Sequence, residues 1–218
     1  MQAVRRALIV VDVQGEYFEG PLSIRYPPVD ESLRRVLDAA DVACRSGIPV
    51  VIVQHTKPEG APLFALGSPG WRLHPDLEGR AEAGWKRVVK SFASVFDQTG
   101  LADWLREQDV NTITLVGYMV NNCILASASA AVPLGFKVEV LSDAIGAIDL
   151  ENDAGTVSAR DLHETLLVLL HSNFAAVAAT GSWAAAVAGD VPLPGSNLRD
   201  SAMQGSLRHH RPGDAQPG

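Results

Sequence analysis

The sequence is poor in cysteine, in basic runs and in long apolar stretches, and each shortage excludes a class of protein. Its two cysteines, Cys44 and Cys123, provide neither a disulfide framework nor the ligand spacing of a zinc finger. The net charge is −7, with no basic stripe before the C-terminal segment, which argues against a nucleic-acid partner. No stretch approaches the about 20 apolar residues of a membrane-spanning helix. The sparse use of cysteine fits a reducing cytoplasm.

Length and composition favour one folded domain followed by a polar tail. A chain of 218 residues, 47% of them hydrophobic and without internal repeats, suits a single α/β domain. The first apolar run ends at Asp12 with no small-residue cleavage site after it, so it is typical of a strand and not of a signal peptide. From Gly189 onward the sequence is polar and rich in Gly and Pro. We therefore expect a domain at residues 1–188 and a tail at 189–218 that is disordered or contacts a partner subunit.

Strand patterns alternate with helical patterns along the domain. Six apolar, branched runs predict strands: Ala7–Val13, Pro49–His55, Trp85–Lys90, Thr112–Tyr118, Lys137–Leu141 and Phe174–Ala178. Helical spacing of apolar residues falls between them, at Asp30–Gly47, Leu101–Gln108, Asn122–Leu134, Ser158–Ser172 and from Ser182 onward. The alternation predicts a three-layer α/β/α domain with a mostly parallel, six-stranded, Rossmann-like sheet. Dinucleotide binding is not indicated, because the first strand leads into DVQGEYFEG without a G-x-G-x-x-G motif.

Three ionisable residues fall at the carboxyl ends of predicted strands, where open parallel sheets bind ligands. Asp12 follows the first strand, Lys90 ends the third, and Cys123 lies just after the fourth. A cysteine in the first turn of a helix faces unpaired N–H groups, which favour the thiolate, and a nearby lysine favours it further. A carboxylate would oppose the thiolate but could accept the thiol proton during attack.

Each of these residues also has a plain structural interpretation. A lone buried cysteine is usually a small apolar filler, and we prefer that interpretation for Cys44; for Cys123 the two interpretations are balanced. Asp12 by itself could cap a loop, and Lys90 could be a solvated strand end. Their shared position at the carboxyl edge of the sheet favours a functional cluster.

Three motifs together resemble the isochorismatase-like cysteine hydrolases: DVQGEYF from Asp12, KSFASVF from Lys90, and GYMVNNCILASASAA around Cys123. The resemblance covers about residues 7–188. It implies that Asp12, Lys90 and Cys123 are catalytic. It also implies a cis peptide at Met119–Val120 and an oxyanion hole made by the backbone N–H groups of Met119 and Cys123.

By this resemblance the protein is a hydrolase of a small-molecule amide or related C–N bond, acting through an acyl-enzyme. No cofactor is expected. Nicotinamidases of this family bind a metal through an Asp-x-His pair and a further His, but this chain offers only His55 and His74 without the aspartate, so we expect no metal site. Family members commonly form homodimers or homotetramers. Two alternatives stay open: an isochorismatase-type vinyl-ether hydrolase, which needs no cysteine, and a non-catalytic scaffold.

A substrate pocket is expected from the loops beside the cluster. Gln14 and Tyr17 follow Asp12 directly, and Trp71 lies in a long Pro- and Gly-rich segment at residues 57–84. Aromatic walls suit a planar or ring-bearing small molecule. His163 and His171 lie on an amphipathic helical pattern and are expected at the surface or at a subunit interface.

Overall fold

The computed structural model describes residues 3–81 and 83–209. The strands within this part of the chain are β1 Arg6–Val11, β2 Val50–His55, β3 Lys86–Lys90, β4 Thr112–Tyr118, β5 Lys137–Gly146, β6 Leu150–Asn152, β7 Gly155–Val157 and β8 Ala176–Ala178. The α-helices are α1 Val29–Arg45, α2 Pro75–Glu78, α3 Leu101–Glu107, α4 Leu125–Ala131, α5 Ala159–Leu169, α6 Thr180–Ala188 and α7 Leu198–His209. A 3-10 turn covers Gly15–Tyr17, and π-helical turns cover Val120–Ile124 and Leu170–Phe174.

The main sheet has six parallel strands in the order β3-β2-β1-β4-β5-β8, which confirms the predicted fold class. The chain first builds outward from β1 to β3 and then returns to add β4 on the other side of β1. The direction of strand addition therefore reverses between β1 and β4. In doubly wound sheets a crevice opens at the carboxyl ends of the strands at such a point.

The core divides into two layers because successive strand residues point to opposite faces of the sheet. On β1, Ile9 packs into one layer together with side chains of α3, α4 and α5. Leu8 and Val10 pack into the other, with α1 and α6. Every residue of β1 and β4 is buried, which explains why both strands are nearly continuous apolar runs.

The predicted strands and long helices are confirmed, with ends shifted by a few residues. The prediction missed the antiparallel hairpin of β6 and β7, whose residues are mostly polar and exposed. It also missed α2, which lies inside the predicted 57–84 loop. No α-helix among the described residues is long and apolar enough to cross a membrane.

The segment after residue 188 is more ordered than its composition suggested. Leu193 is buried in the core, and the Arg6 guanidinium donates a hydrogen bond to the carbonyl of Val191. A helix, α7, then occupies Leu198–His209, within the segment expected to be disordered or to contact a partner subunit. The prolines of that segment precede or follow the helix. None of the side chains of α7 is buried. The final residues of the predicted tail, 210–218, lie outside the described residues.

Candidate active site

Asp12 lies immediately beyond the last residue of β1, in a left-handed backbone conformation with φ of 50°. Its N–H donates to the carbonyl of Val53 on β2, so the backbone of Asp12 is still hydrogen-bonded to the sheet where the chain turns. The side chain is fully buried. A non-glycine residue at positive φ is uncommon and costs about 1–3 kcal/mol, which singles out Asp12 as a position held by its surroundings.

Gly117 allows β4 to approach β1 closely at this end of the sheet. Its φ is +101°, and a Cβ built on it would lie 2.1 Å from the carbonyl oxygen of Val11. Val11 and Gly117 are paired across the two strands, directly before Asp12. A side chain at residue 117 would therefore push Asp12 away from the turn that follows β4.

The segment carrying Cys123 is held to the loop after β3 by a buried serine. Cys123 lies in the π-helical turn between β4 and α4. The Ser127 hydroxyl donates to the carbonyl of Cys123 at 2.6 Å and accepts a hydrogen bond from the N–H of Val95 at 3.0 Å. Since Val95 belongs to the KSFASVF motif, this serine links two of the three motifs in space.

The ammonium nitrogen of Lys90 lies at the centre of the cluster. It is 2.7 Å from Oδ2 of Asp12, 3.0 Å from Nδ1 of His55 and 3.2 Å from Sγ of Cys123. It also donates to the carbonyl of Phe92 at 3.1 Å. The side chains of Asp12 and Lys90 are completely shielded from solvent. The structure thus brings together the three residues that the sequence predicted to converge, and it adds His55.

Burial sets the resting protonation states of these groups. Burial, with the nearby Asp12 carboxylate, raises the pKa of the Cys123 thiol to about 12 despite the Lys90 ammonium. Burial also raises the pKa of Asp12, although Lys90 acts in the opposite direction. For Lys90, burial opposes the charge, but Asp12 and Cys123 outweigh it and raise the pKa. The resting cysteine is a neutral thiol beside a carboxylate, whereas the helix-turn argument favoured a thiolate.

This arrangement is suited to a proton transfer from Cys123 to Asp12. Before the transfer the negative charge is on the carboxylate, 2.7 Å from Lys90 Nζ; afterwards it is on the sulfur, 3.2 Å from the same nitrogen. The net charge of the buried cluster does not change. Because the ammonium stays beside the negative charge in both states, the transfer avoids creating an unpaired buried ion, which is the costly event in a low-dielectric site.

Asp12, His55 and Cys123 also have the spacing of a set of metal ligands, with their donor atoms all within 4.8 Å of one another. The Lys90 nitrogen, however, lies within 3.2 Å of one such atom of each residue. The ammonium thus takes the position between the three donors that a cation would need.

The three predicted pocket residues do not form one pocket. The Gln14 side chain is fully buried, and its amide is occupied by backbone groups: Oε1 accepts from the N–H of His55, and Nε2 donates to the carbonyls of His55 and Trp71. It positions His55, a role that its place after Asp12 did not reveal. Tyr17 is a core residue that packs on Phe64.

Trp71 is half-buried and faces a different part of the surface. Its indole N–H donates to the Thr56 hydroxyl at 2.9 Å. The ring lines a cavity of about 410 Å³ together with Gln54, Arg72 and Arg87. Asp12, Lys90 and Cys123 do not line that cavity, and the role of Trp71 as a wall of the substrate pocket stays a prediction.

The cis peptide lies one position earlier than expected, at Tyr118–Met119 and not at Met119–Val120. Val120 already has helical backbone geometry as the first residue of the π-helical turn, and β4 ends at Tyr118. The change from extended to helical backbone therefore occurs at Met119. Of the residues expected to supply oxyanion donors, Met119 directly precedes this turn and Cys123 lies within it.

Among the histidines, His55 lies in the site, and His163 departs from its expected position. His55 is paired with Lys90 across β2 and β3, and its imidazole contacts the Phe64 ring. Burial and the nearby Lys90 and Lys57 lower the pKa of His55 to about 4, so its ring is neutral at neutral pH. His163 was expected at the surface, but it is buried against Tyr26 because it faces the sheet side of α5.

Comparisons with known proteins agree on one family. The family model described as Isochorismatase domain matches residues 6–181. A crystal structure of a candidate isochorismatase from Burkholderia xenovorans LB400 is 45% identical, with a TM-score of 0.93, covering 96% of this chain and all of that one. A secreted isochorismatase effector of Verticillium dahliae is 32% identical over 66% of this chain and 73% of its own. A streptothricin hydrolase of Streptomyces noursei is also 32% identical, over 66% of this chain and 56% of its own.

Proposed function

The chain belongs to the isochorismatase family, and we propose that it is an amidase-like member in which the Cys123 thiol attacks a small-molecule amide or related C–N bond. The family's members are hydrolases, and so is this protein. One observation carries the finer assignment: a thiol, a carboxylate and an ammonium meet in one buried contact set at the carboxyl edge of the sheet. Fixed nucleophile, base and charge partner are the components that covalent acyl transfer requires.

In the proposed first half-reaction, Asp12 accepts the proton of the Cys123 thiol as the sulfur bonds to the substrate carbonyl carbon. The C=O electron pair moves onto oxygen, and the backbone N–H groups of Met119 and Cys123 are the proposed donors to that oxyanion. When the carbonyl re-forms, the C–N bond breaks and Asp12 gives its proton to the leaving amine. Burial raises the pKa of Asp12, which makes its carboxylate a stronger base than a solvated one and suits it to accept and return a proton.

In the second half-reaction, Asp12 takes a proton from water as the water oxygen attacks the thioester carbon. The C–S bond then breaks, the acid product leaves, and the sulfur regains its proton from Asp12. Lys90 remains charged throughout and keeps the negative charge of either partner compensated. Oxyanion donors of this kind contribute about 10²–10³ in rate each, and positioned proton transfer about 10²–10⁴.

The test is a panel of small amides, ureido acids and lactams assayed for release of ammonia or amine. We expect turnover of at least one of these classes by the wild type, loss of turnover in Cys123→Ala, and unchanged turnover in the matched variant Cys44→Ala. A mass increase on the Cys123 peptide during turnover would identify the acyl-enzyme. Full activity of Cys123→Ala would contradict the nucleophile assignment. Failure to hydrolyse any C–N substrate would contradict the amidase assignment.

A vinyl-ether hydrolase is the second candidate, because relatives are described as isochorismatases. Such a reaction protonates the substrate and adds water without a cysteine nucleophile. It requires Asp12 but not Cys123. If Cys123→Ala keeps turnover of a vinyl-ether substrate while Asp12→Ala loses it, this second candidate replaces the amidase assignment.

We further propose that the protein is a cytoplasmic homodimer or homotetramer that uses α7 as a contact with a neighbouring subunit. An isolated helix of 12 residues is marginal in water, and α7 buries none of its side chains. Exposed apolar residues lie on it and on the end of α5 beside it, among them Val168 and Leu207. A second copy of the chain covering this face would account for both features.

A further inference from the structure

The Lys90 ammonium contacts more hydrogen-bond acceptors than it has protons. An ammonium group has three N–H donors. Four acceptors lie within 3.2 Å of its nitrogen: Asp12 Oδ2, His55 Nδ1, the Phe92 carbonyl oxygen and Cys123 Sγ. In any state of the site, therefore, one of the four is left without a full hydrogen bond.

The resting thiol is the weakest competitor for these N–H groups, although its sulfur lies within hydrogen-bond distance of the Lys90 nitrogen, at 3.2 Å. A thiol sulfur is a weak acceptor, whereas a carboxylate, a neutral imidazole nitrogen and a carbonyl oxygen are strong ones. Once Cys123 has lost its proton to Asp12, the order of acceptor strength changes, because the thiolate is then charged and the protonated Asp12 is not. The N–H groups of Lys90 must be redistributed between these two states.

His55 is held in place to take part in this competition. Gln14 fixes its backbone on both sides, accepting from its N–H at 2.8 Å and donating to its carbonyl at 2.9 Å. Phe64 packs on the ring, with the two ring centroids 5.0 Å apart. Because Lys90 donates to Nδ1, the neutral imidazole carries its own proton on Nε2.

We propose that His55 is a positioning residue whose Nδ1 competes with the Cys123 sulfur for an N–H of Lys90 while the thiol is protonated. His55 thereby keeps the nucleophile protonated in the resting site. The inference rests on the proposed function only in treating Cys123 as the nucleophile. Several charged and titratable groups face His55 and Cys123: Asp12 after β1, Lys57 after β2, Lys90 on β3 and Tyr17 in the 3-10 turn.

Two amide variants of His55 separate this role from simple packing. In His55→Asn the side-chain oxygen can occupy nearly the position of Nδ1, whereas in His55→Gln it lies one bond further out, near Nε2. We therefore expect the asparagine variant to behave like the wild type. In the glutamine variant a full N–H of Lys90 becomes available to sulfur, and the thiolate is favoured.

The measurement is the alkylation rate of Cys123 at pH 9, followed by peptide mass spectrometry with two reagents of different size, iodoacetamide and N-ethylmaleimide. A hydrogen bond to a charged group is worth enough to raise the thiolate fraction by about 10-fold or more, so both rates should rise by about that factor in His55→Gln. Because a thiolate effect multiplies both rates equally, a gain confined to the smaller reagent indicates easier access and overturns the proposal. Equal rates in the Asn and Gln variants also overturn it.

Two controls complete the experiment. His171→Gln changes a histidine whose Nδ1 accepts from the N–H of Val177 on β8. That strand is four strand positions, or about 19 Å, from β2, so both alkylation rates should stay unchanged. Circular dichroism establishes that each variant is folded, and His55→Leu replaces His55→Gln if the latter is not. Alkylation needs no substrate. The alkylation rates can therefore contradict the role of His55 whether or not the protein proves to be an amidase.

Discussion

The Lys90 ammonium and the Asp12 carboxylate form an ion pair of 2.7 Å in which neither side chain is exposed to solvent. Burying two ions costs several kcal/mol each, and only their mutual attraction and further hydrogen bonds offset this cost. The pair is therefore poor evidence for a gain in stability. Its position at the carboxyl edge of the sheet, in contact with Cys123, fits the proposed catalytic role.

The first prediction concerns removal of one ion of this pair. Lys90→Met keeps a similar length but leaves the Asp12 carboxylate buried without a counter-ion, and we expect a loss of about 3–5 kcal/mol in the free energy of unfolding at neutral pH. The double variant Lys90→Met with Asp12→Asn removes both charges and should recover most of that stability. Urea unfolding of both variants measures this.

The double variant should recover stability relative to Lys90→Met without recovering activity. The double variant lacks both the base and the cation, so we expect it to be stable but inactive. If the double variant is as unstable as Lys90→Met, the charge imbalance is not the cause of the loss.

The second prediction concerns the pH dependence of the thiol. With a pKa near 12, Cys123 should be alkylated slowly by iodoacetamide at neutral pH, and its rate should still be rising at pH 10. Slow alkylation is thus expected of the intact enzyme and does not indicate an inactive scaffold. In Asp12→Asn the carboxylate charge is gone while Lys90 remains, so the thiol pKa should fall and the rate at a given pH should increase. A decrease would show that Asp12 does not oppose the thiolate in the resting site.

The third prediction concerns the close approach of β1 and β4. Gly117→Ala places a Cβ 2.1 Å from the Val11 carbonyl oxygen at a φ of +101°, and the backbone strain alone costs about 1–3 kcal/mol. We expect lower stability and a strong loss of turnover, because Asp12 directly follows Val11. Gly181→Ala on α6, where a Cβ meets nothing within 4 Å, is the matched control and should neither lower stability nor change turnover. Unchanged turnover in Gly117→Ala would show that this approach does not position the base.

The fourth prediction concerns assembly. Val168→Glu and Leu207→Glu introduce charge into the exposed apolar face at α5 and α7, and we expect both to reduce the mass measured by light scattering toward that of a monomer. Arg34→Glu, on the exposed side of α1, is the control and should not change the mass. A monomeric wild type would rule out the proposed role of α7.

The sequence by itself determined the layer architecture and the positions of the catalytic candidates relative to the sheet. Apolar runs and helical spacing are local properties, and in a parallel sheet they fix which residues reach the carboxyl edge. Asp12, Lys90 and Cys123 were located in this way, at or shortly after the ends of three different strands, and the motifs around them indicated the family. These features depend on residues close together in the chain.

The tertiary structure decided everything that depends on neighbours distant in sequence. Burial by other elements keeps the Cys123 thiol protonated, which the helix-turn argument could not predict. The contact of His55 with Lys90 depends on the pairing of β2 with β3 and on the Gln14 side chain from after β1. Desolvation and hydrogen-bond competition are set by all the groups that converge at one point, and no single segment of the chain contains that information.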